Sequence, residues 1–291
     1  MMPDWIAVDW GTSNLRVWAM GPQGVLAEAQ SDDGMGKLAQ DGFEPALRRL
    51  IAPWLAAGGV PVVACGMVGA RQGWQEAPYR AVPCAPVARG EGIAVSANGL
   101  NIRIIPGLCQ GKPADVMRGE ETQIAGVLAL HPQFDGVICL PGTHSKWAHV
   151  SAGEVVSFQT YMTGEMFALL SGQSVLRHSM AGNGWDEAAF DAGAAEGLSR
   201  PERMMARLFS LRAEGLLAGL EPSAARARLS GLLIGAELAA ARPYWLGQRV
   251  VLVGGAALQA SYARALATQG VTAETLDATA CTLAGLAAAR P

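Results

Sequence analysis

The stretch Ile6 to Met20, IAVDWGTSNLRVWAM, leaves few folds open to this chain. Ile6, Val8 and Trp10 alternate with Ala7 and Asp9, a run of small and polar residues interrupts, and the alternation resumes with Leu15, Val17 and Ala19. Period-two patterning on both sides of a polar turn predicts a β-hairpin. The turn region gathers one carboxylate, Asp9, with Gly11, Thr12, Ser13 and Asn14. Hard cations take oxygen ligands, and phosphate oxygens take closely approaching N–H and O–H donors, so this set suits a phosphate chain and its Mg²⁺. Gly, Ser and Asn also favour turns for backbone reasons alone, so the hairpin by itself leaves both readings open. The pattern returns, loosely, from Val137 to Met162 as strand, Gly142-Thr143 turn, strand, turn, strand. Such a duplicated plan predicts two lobes, each offering a phosphate-facing turn to a shared cleft.

Length agrees, because 291 residues suffice for two domains of ordinary size. The net charge of -3 and pI near 5.8 arise from mixed charges without long runs. That balance gives no basic footprint for nucleic acid or an anionic membrane, so an anionic substrate needs local positive groups. Long apolar runs are broken by charge, as Glu237 breaks LLIGAELAAA, and none reads as a membrane span. The chain opens with Asp4 and a strand, not a basic apolar leader, which predicts a cytoplasmic protein. Cys65, Cys84, Cys109, Cys139 and Cys281 are odd in number and scattered, and the four histidines lack zinc-site spacing. Free thiols in a reducing compartment follow.

Further along, apolar residues at helical spacing predict a helix from Gly42 to Leu55, leading to a strand at Val60 to Cys65 that pairs in parallel with the hairpin. At the end of that strand, CGMVGARQGWQEAPY offers Arg71 for an anion and Trp74 and Tyr79 as pocket walls. Ligands collect at such strand ends in open α/β sheets, although the aromatics could equally pack down. A short strand from Ile102 to Leu108 precedes a helix starting near Glu120, which puts Arg118, Glu120 and Glu121 around a helix N-terminus. The helix dipole accounts for two carboxylates there; the alternative is that one of them serves as a general base. Four helices follow, from Thr163, at Asp186 to Gly197, Pro201 to Leu217 and Pro222 to Ala241, the last with Gly231 and Gly235 as a small-residue face. An apolar strand at Val250 to Val253 runs into Gly254-Gly255 and a helix from about Ala257. A strand near Val271 to Thr275 and an Ala-rich helix capped by Asp277 close the chain.

In their order, VDWGTSNLRVW, LPGTHSKWAHV and LVGGAAL resemble the two phosphate motifs and the adenosine motif of the actin-like ATPase superfamily that includes sugar kinases. Nearly the whole chain resembles the bacterial 2-dehydro-3-deoxygalactonokinases, through those blocks together with GMVG, GWQEAPY, IIPGLC, VMRGEETQ, MTGE and GLLIGAE. The resemblance implies two ribonuclease-H-like lobes with mixed sheets flanked by helices, residues 1–132 and 133–291, and an active site in the interlobe cleft. It implies transfer of the γ-phosphoryl group of ATP to the terminal hydroxyl of 2-dehydro-3-deoxy-D-galactonate. Asp9 would hold Mg²⁺, mostly through water. Gly11, Thr12, Ser13, Asn14 and Arg16 would face the β- and γ-phosphates, with Gly142, Thr143 and Lys146 from the second turn and Gly254 and Gly255 for adenosine. Either Glu120 or Glu121 would be the base, Glu121 slightly preferred. Gly66, Met67, Arg71, Trp74, Arg118 and His144 would meet the sugar acid. Where many superfamily members carry an aspartate in the second phosphate motif, this chain has Cys139 and Leu140, so a second metal carboxylate is not expected. A phosphoanhydride hydrolase of the same fold and a non-catalytic sugar or nucleotide sensor are the competing functions. The sensor lacks any basic helix-turn-helix extension. Oligomeric state is left open, a homodimer being compatible.

Overall fold

The computed structural model describes residues 2–55 and 59–291. Its first sheet begins with the expected meander, β1 (Trp5–Trp10), β2 (Leu15–Gly21) and β3 (Gly24–Ser31). Helix α1 (Phe43–Ile51) then leads to β4 (Pro61–Gly66), which pairs in parallel with β1 as the βαβ logic requires. The helix stops earlier than its periodicity suggests, giving way to a 3₁₀ turn at Ala52–Trp54. Pro53 lies inside that turn, where it has no N–H to continue the ladder.

Between β4 and the next helix lie five short strands: β5 (Arg80–Ala81), β6 (Ile93–Ala97), β7 (Leu100–Ile104), β8 (Leu108–Gly111) and β9 (Ala114–Met117). The strand expected from Ile102 to Leu108 is thus two, separated at Ile105–Gly107. The six-stranded sheet has the order β3-β2-β1-β4-β7-β6, and β5-β8-β9 form a small second sheet. Helix α2 (Glu120–Leu130) follows.

The second meander consists of β10 (Gly136–Leu140), β11 (Ser145–Ser151) and β12 (Glu154–Tyr161). Helices α3 (Thr163–Gly172), α4 (Glu187–Ser199), α5 (Met204–Leu217), α6 (Pro222–Ala240) and α7 (Arg242–Trp245) come next. Strand β13 (Val250–Gly254), helix α8 (Ala256–Ala267), strand β14 (Glu274–Asp277) and helix α9 (Ala278–Ala289) complete the chain. This sheet runs β12-β11-β10-β13-β14, so each large sheet sets a meander beside parallel strands. Asp277, expected as a helix cap, ends β14 and directly precedes the first residue of α9, the position a cap takes.

Two compact units result, and they are not consecutive pieces of chain. One contains residues 1–135, 150–157 and 278–291, the other 136–149 and 158–277. Relative to the sequence division at residue 132, helix α9 and the β11–β12 turn belong with the first unit. In that unit Ile6, Val8, Trp10, Leu15 and Val17 pack on Phe43, Leu47 and Ile51 of α1. The opposite face of the same strands, with Trp5, Ala7 and Cys65, packs on Leu286 and Ala289 of α9. Period two puts Asp9 on this second face.

In the second unit α4 and α6 cross closely enough to need glycine on both sides. A Cβ at Gly231 would lie 2.2 Å from the Phe190 carbonyl oxygen, and one at Gly193 would lie 2.4 Å from that of Arg228. Backbone cannot yield as a flexible side chain can, so Gly231→Ala is expected to destabilise the unit by about 1–3 kcal/mol, read as a fall in thermal midpoint.

Candidate active site

In the first unit the β1–β2 turn is held by backbone. Gly11 N–H donates to the Asn14 carbonyl at 2.9 Å, while Met35 N–H and Gly36 N–H donate to the carbonyls of Gly11 and Thr12 at 3.0 and 2.9 Å. Residues 33–36, a loop by composition, thus brace the turn from outside. A Cβ at Gly34 would come within 2.2 Å of the Ser13 carbonyl carbon, so only glycine fits. Thr12, Ser13 and Asn14 remain exposed.

Register explains the surroundings of Asp9. It stands opposite Arg16 on β2 and beside Cys65 on β4. The Arg16 guanidinium bonds Asp9 Oδ2, and Cys65 Sγ lies 3.9 Å from Oδ1. Arg16, expected at the phosphates, is therefore a partner of the carboxylate. At the end of β4, Gly66 has φ 89°, and a Cβ there would fall 2.6 Å from the Trp10 carbonyl oxygen and 3.5 Å from Asp9 Oδ1. A Cβ on Gly119 would lie 3.4 Å from Gly66 Cα, which brings the start of α2 alongside Asp9.

The two glutamates at that helix start have different surroundings. Glu121 is 0 % exposed; its Oε2 accepts from Gly119 N–H at 2.7 Å and its Oε1 from the Thr122 hydroxyl at 3.0 Å. Burial, reinforced by the charge of Glu120, raises its carboxyl from 4.5 to about 8. Glu120 is half-buried, and its Oε2 accepts from the Arg118 N–H at 3.0 Å. The same environment is felt by Cys65, whose thiol is pushed well up by burial and by the Asp9 and Glu121 carboxylates.

Of the two arginines expected to meet the sugar acid, Arg71 lies in solvent, its side chain 81 % exposed and paired with Glu76 at 3.6 Å. Arg118 is 9 % exposed, donates from Nη2 to the Ala77 carbonyl at 2.7 Å, and stacks 4.3 Å from the Tyr79 ring centroid. Its Nε and Nη1 are buried with no hydrogen-bond partner. Orphaned cationic donors are costly, which marks this guanidinium as a positive group with unused binding capacity. Gly69 makes room for it, since a Cβ there would come 2.9 Å from Nη1. Trp74 packs inward, its ring stacked on Phe43 with centroids 6.3 Å apart, and Met67 opens the 3₁₀ turn Met67–Gly69.

In the second unit the Gly142–Thr143 turn is seated on the start of α3. Glu165 N–H donates to the Thr143 carbonyl at 2.9 Å, and a Cβ at Gly164 would be 2.3 Å from the Gly142 carbonyl oxygen. His144 Nε2 lies 2.6 Å from Glu165 Oε2. Lys146 is buried, its Nζ donating to the His144 carbonyl at 3.2 Å, so the ammonium lies against its own turn and does not project from it. Gly254 at the end of β13 is next to this turn, a Cβ there falling 3.0 Å from the Pro141 carbonyl oxygen.

Beside the turn opens a largely apolar cavity of about 760 Å³, walled by Gly142, Thr143, Thr163 and Gly164, by Ala257, Leu258 and Ser261 of α8, and by Phe167, Trp185 and Phe190. Its volume suits a ligand of nucleoside size. Arg226 stacks on Phe167 at 5.0 Å, and Arg264 is tied to Asp191 and Glu187. These walls escape sequence reasoning because four helices supply them. One clue was visible: Glu237 falls four residues after Leu233, on the buried stripe of α6.

The sequence model of the family described as 2-keto-3-deoxy-galactonokinase matches residues 9–289. The chain belongs to the 2-keto-3-deoxy-galactonokinase family. Within that family it is 41 % identical over 295 residues to the protein named Probable 2-dehydro-3-deoxygalactonokinase DgoK1 of Rhizobium meliloti (strain 1021), covering 97 % of this chain and 95 % of the relative. It is 38 % identical over 280 residues to the 2-dehydro-3-deoxygalactonokinase of Escherichia coli (strain K12), covering 93 % and 91 %. A solved Sinorhizobium meliloti structure ascribed to the same kinase group superposes with a TM-score of 0.91 at 41 % identity, over 98 % of this chain and 95 % of that one. The actin-like ATPase fold extends beyond the family. The activator of 2-hydroxyisocaproyl-CoA dehydratase from Clostridium difficile shares it at 14 % identity, with a TM-score of 0.54 over 98 % of this chain and 92 % of that one.

Proposed function

We propose that the chain is an ATP-dependent kinase that phosphorylates 2-dehydro-3-deoxy-D-galactonate at its terminal hydroxyl, giving the 6-phosphate and ADP in the breakdown of D-galactonate. The observation that carries this reading is the convergence in the first unit of Asp9, the hydroxyl-bearing turn and the Glu120–Glu121 helix start, in a chain of the 2-keto-3-deoxy-galactonokinase family. Phosphoryl transfer passes through a loose transition state, so the protein positions reactants and neutralises oxygens. Thr12, Ser13 and Asn14 supply hydroxyl and backbone donors to the β- and γ-phosphates. The proton of the terminal hydroxyl passes to Glu120 as that oxygen bonds to the γ-phosphorus and the bond to ADP breaks. Arg118 is the group to take the sugar-acid carboxylate, as the one guanidinium in the first unit with buried unused donors among the described residues.

A magnesium ion, which the fold family uses, fits Asp9. Mg²⁺ needs only one or two carboxylates, the rest being water and phosphate. Arg16 occupies Oδ2, and Oδ1 faces nothing more competitive than a thiol at 3.9 Å. When bound, the ion supplies charge neutralisation to the phosphates. Among the described residues no cluster of three His, Cys, Asp or Glu exists to cage a metal without substrate.

The cavity of the second unit takes the nucleoside, and Gly254 and Gly255 lead into α8, which forms one of its walls. Gly255 has φ -70°, and a Cβ there would meet open space, so neither conformation nor packing requires glycine. Gly255→Val is therefore expected to lower stability by no more than about 1 kcal/mol, the cost of a poorer cap on α8, while raising the KM for ATP several-fold. No described helix is long and apolar enough to cross a membrane, and we place the enzyme in the cytoplasm.

A coupled assay tests the whole reading. ADP release that depends on 2-dehydro-3-deoxygalactonate is expected. Equal release without the sugar acid would make the protein a phosphoanhydride hydrolase, and tight ATP binding without turnover would make it a sensor.

A further inference from the structure

One carboxyl group ties together the elements that wall the cavity. Glu237 of α6 is 3 % exposed, with Oε1 accepting from Trp147 Nε1 of β11 and Oε2 from the Tyr262 hydroxyl of α8, both at 2.7 Å. The Thr163 side chain, at the start of α3, adds another hydrogen bond. The chain of bonds continues to the phosphate-type turn. Tyr262 Oη lies 2.9 Å from Ser145 Oγ, and Ser145 Oγ accepts from Gly142 N–H at 3.5 Å. The Ser145 hydroxyl also hydrogen-bonds Glu237 itself, so it links the carboxyl, Tyr262 and the Gly142 N–H.

A carboxyl buried at the centre of an apolar helix stripe is an expensive way to fill space, and well-packed apolar residues often do as well or better. What an apolar side chain cannot do is fix four elements relative to one another. A satisfied buried network specifies one arrangement of its neighbours. Here those neighbours are the Gly142–Thr143 turn, through Ser145, and the cavity walls at Thr163 and Tyr262.

We propose that Glu237 is a positioning residue for the nucleotide, holding the Gly142–Thr143 turn and the Thr163 and Tyr262 walls in binding geometry before the nucleotide arrives. It touches no ligand and acts through Tyr262, Thr163 and Ser145. This rests on the assignment of the nucleoside to the cavity, and the test separates the two.

Steady-state kinetics with both substrates varied, and calorimetric titration of the full chain with ADP, are to be made on four variants. Glu237→Leu should raise the KM for ATP and the Kd for ADP by about tenfold or more, in the range seen for partners that orient binding groups. The KM for the sugar acid at saturating ATP should stay within about twofold. Glu237→Gln should recover most of the loss, because its carbonyl accepts from Trp147 and its amide donates to Tyr262. Tyr262→Phe keeps the ring and deletes only the hydroxyl, which is turned into the network; a several-fold rise in the same two constants is expected. A purely architectural carboxyl would lower the thermal midpoint and the active fraction, and so the apparent kcat, with ADP affinity unchanged. That result overturns the proposal. If Glu237→Leu does not fold, Tyr262→Phe decides, unchanged ADP affinity again overturning it. Ala260→Trp, which fills the cavity from α8, tests the assignment itself. ADP affinity unaffected by the added ring removes the nucleotide from the cavity, and weakened affinity there beside normal affinity in Tyr262→Phe removes the role of Glu237 alone.

Discussion

Glu120→Gln is expected to lower kcat by about 10²-fold or more, whereas Glu121→Gln should cost less than about tenfold at pH 7. A base must come within hydrogen-bond reach of the hydroxyl it deprotonates. Glu120 is half-buried and reachable, while Glu121 is 0 % exposed with both oxygens engaged inside its own helix turn. The raised carboxyl of Glu121 would by itself suggest an acid–base catalyst. Its cause argues otherwise, since the same burial that raises it keeps substrate away. Near pH 7 a carboxyl raised to about 8 is mostly neutral, and glutamine reproduces its shape and its contacts with Gly119 and Thr122. Stability gives an independent reading. The folded value of about 8 exceeds the ordinary 4.5, so the folded state holds this proton more tightly than the unfolded chain. The resulting stabilisation is complete below about 4.5 and is lost as pH rises towards about 8. Thermal midpoints measured across that window should fall in the parent relative to Glu121→Gln, the difference flattening at its acid end. If Glu121→Gln were instead the slow variant and Glu120→Gln the fast one, the base would be Glu121, uncovered only with substrate in place.

What could be read from residues alone follows from how local the determinants are. The two meanders and the start of α2 rest on short-range periodicity and turn chemistry, and the structure has them where the patterns fall. Strands β6 and β9, IAVSA and ADVM, lack a strong alternating signal and form through pairing with β7 and β8. Helix α9 has apolar residues nearly all round, so its composition does not say which sheet it covers; Gly126 and Gly285 show the answer. A Cβ on either would lie 1.8 Å from a carbonyl oxygen of the other helix, a crossing of α2 and α9 that only the folded first unit reveals. Arg71 and Arg118 illustrate the same limit in the candidate site. Both are arginines near glycines, and only long-range packing against Ala77 and Tyr79 makes one of them a buried cation. Glu237 is similar, since its donors come from β11, α3 and α8.

Asp9→Ala is expected to reduce turnover by about three orders of magnitude or more with the fold retained, as removal of a principal group that places charge on the transferring phosphoryl should. The structural cost is small because the Asp9–Arg16 pair is not deeply buried, with side chains 17 % and 36 % exposed, and such pairs contribute little. Loss of activity with a nearly unchanged thermal midpoint therefore speaks to chemistry. The corresponding strand of the second unit offers no equivalent carboxylate, because Cys139 and Leu140 stand there and both are buried. Cys139 is itself held as a neutral thiol by burial. Asp9→Asn sharpens the experiment: it keeps shape and a hydrogen bond from Arg16 but removes the negative charge, so it should be nearly as slow as alanine. Activity is to be titrated with Mg²⁺ at fixed ATP in both variants. Near-normal turnover in either one would move the metal away from Asp9, leaving the carboxylate as a brace for Arg16 and the β1–β2 hairpin.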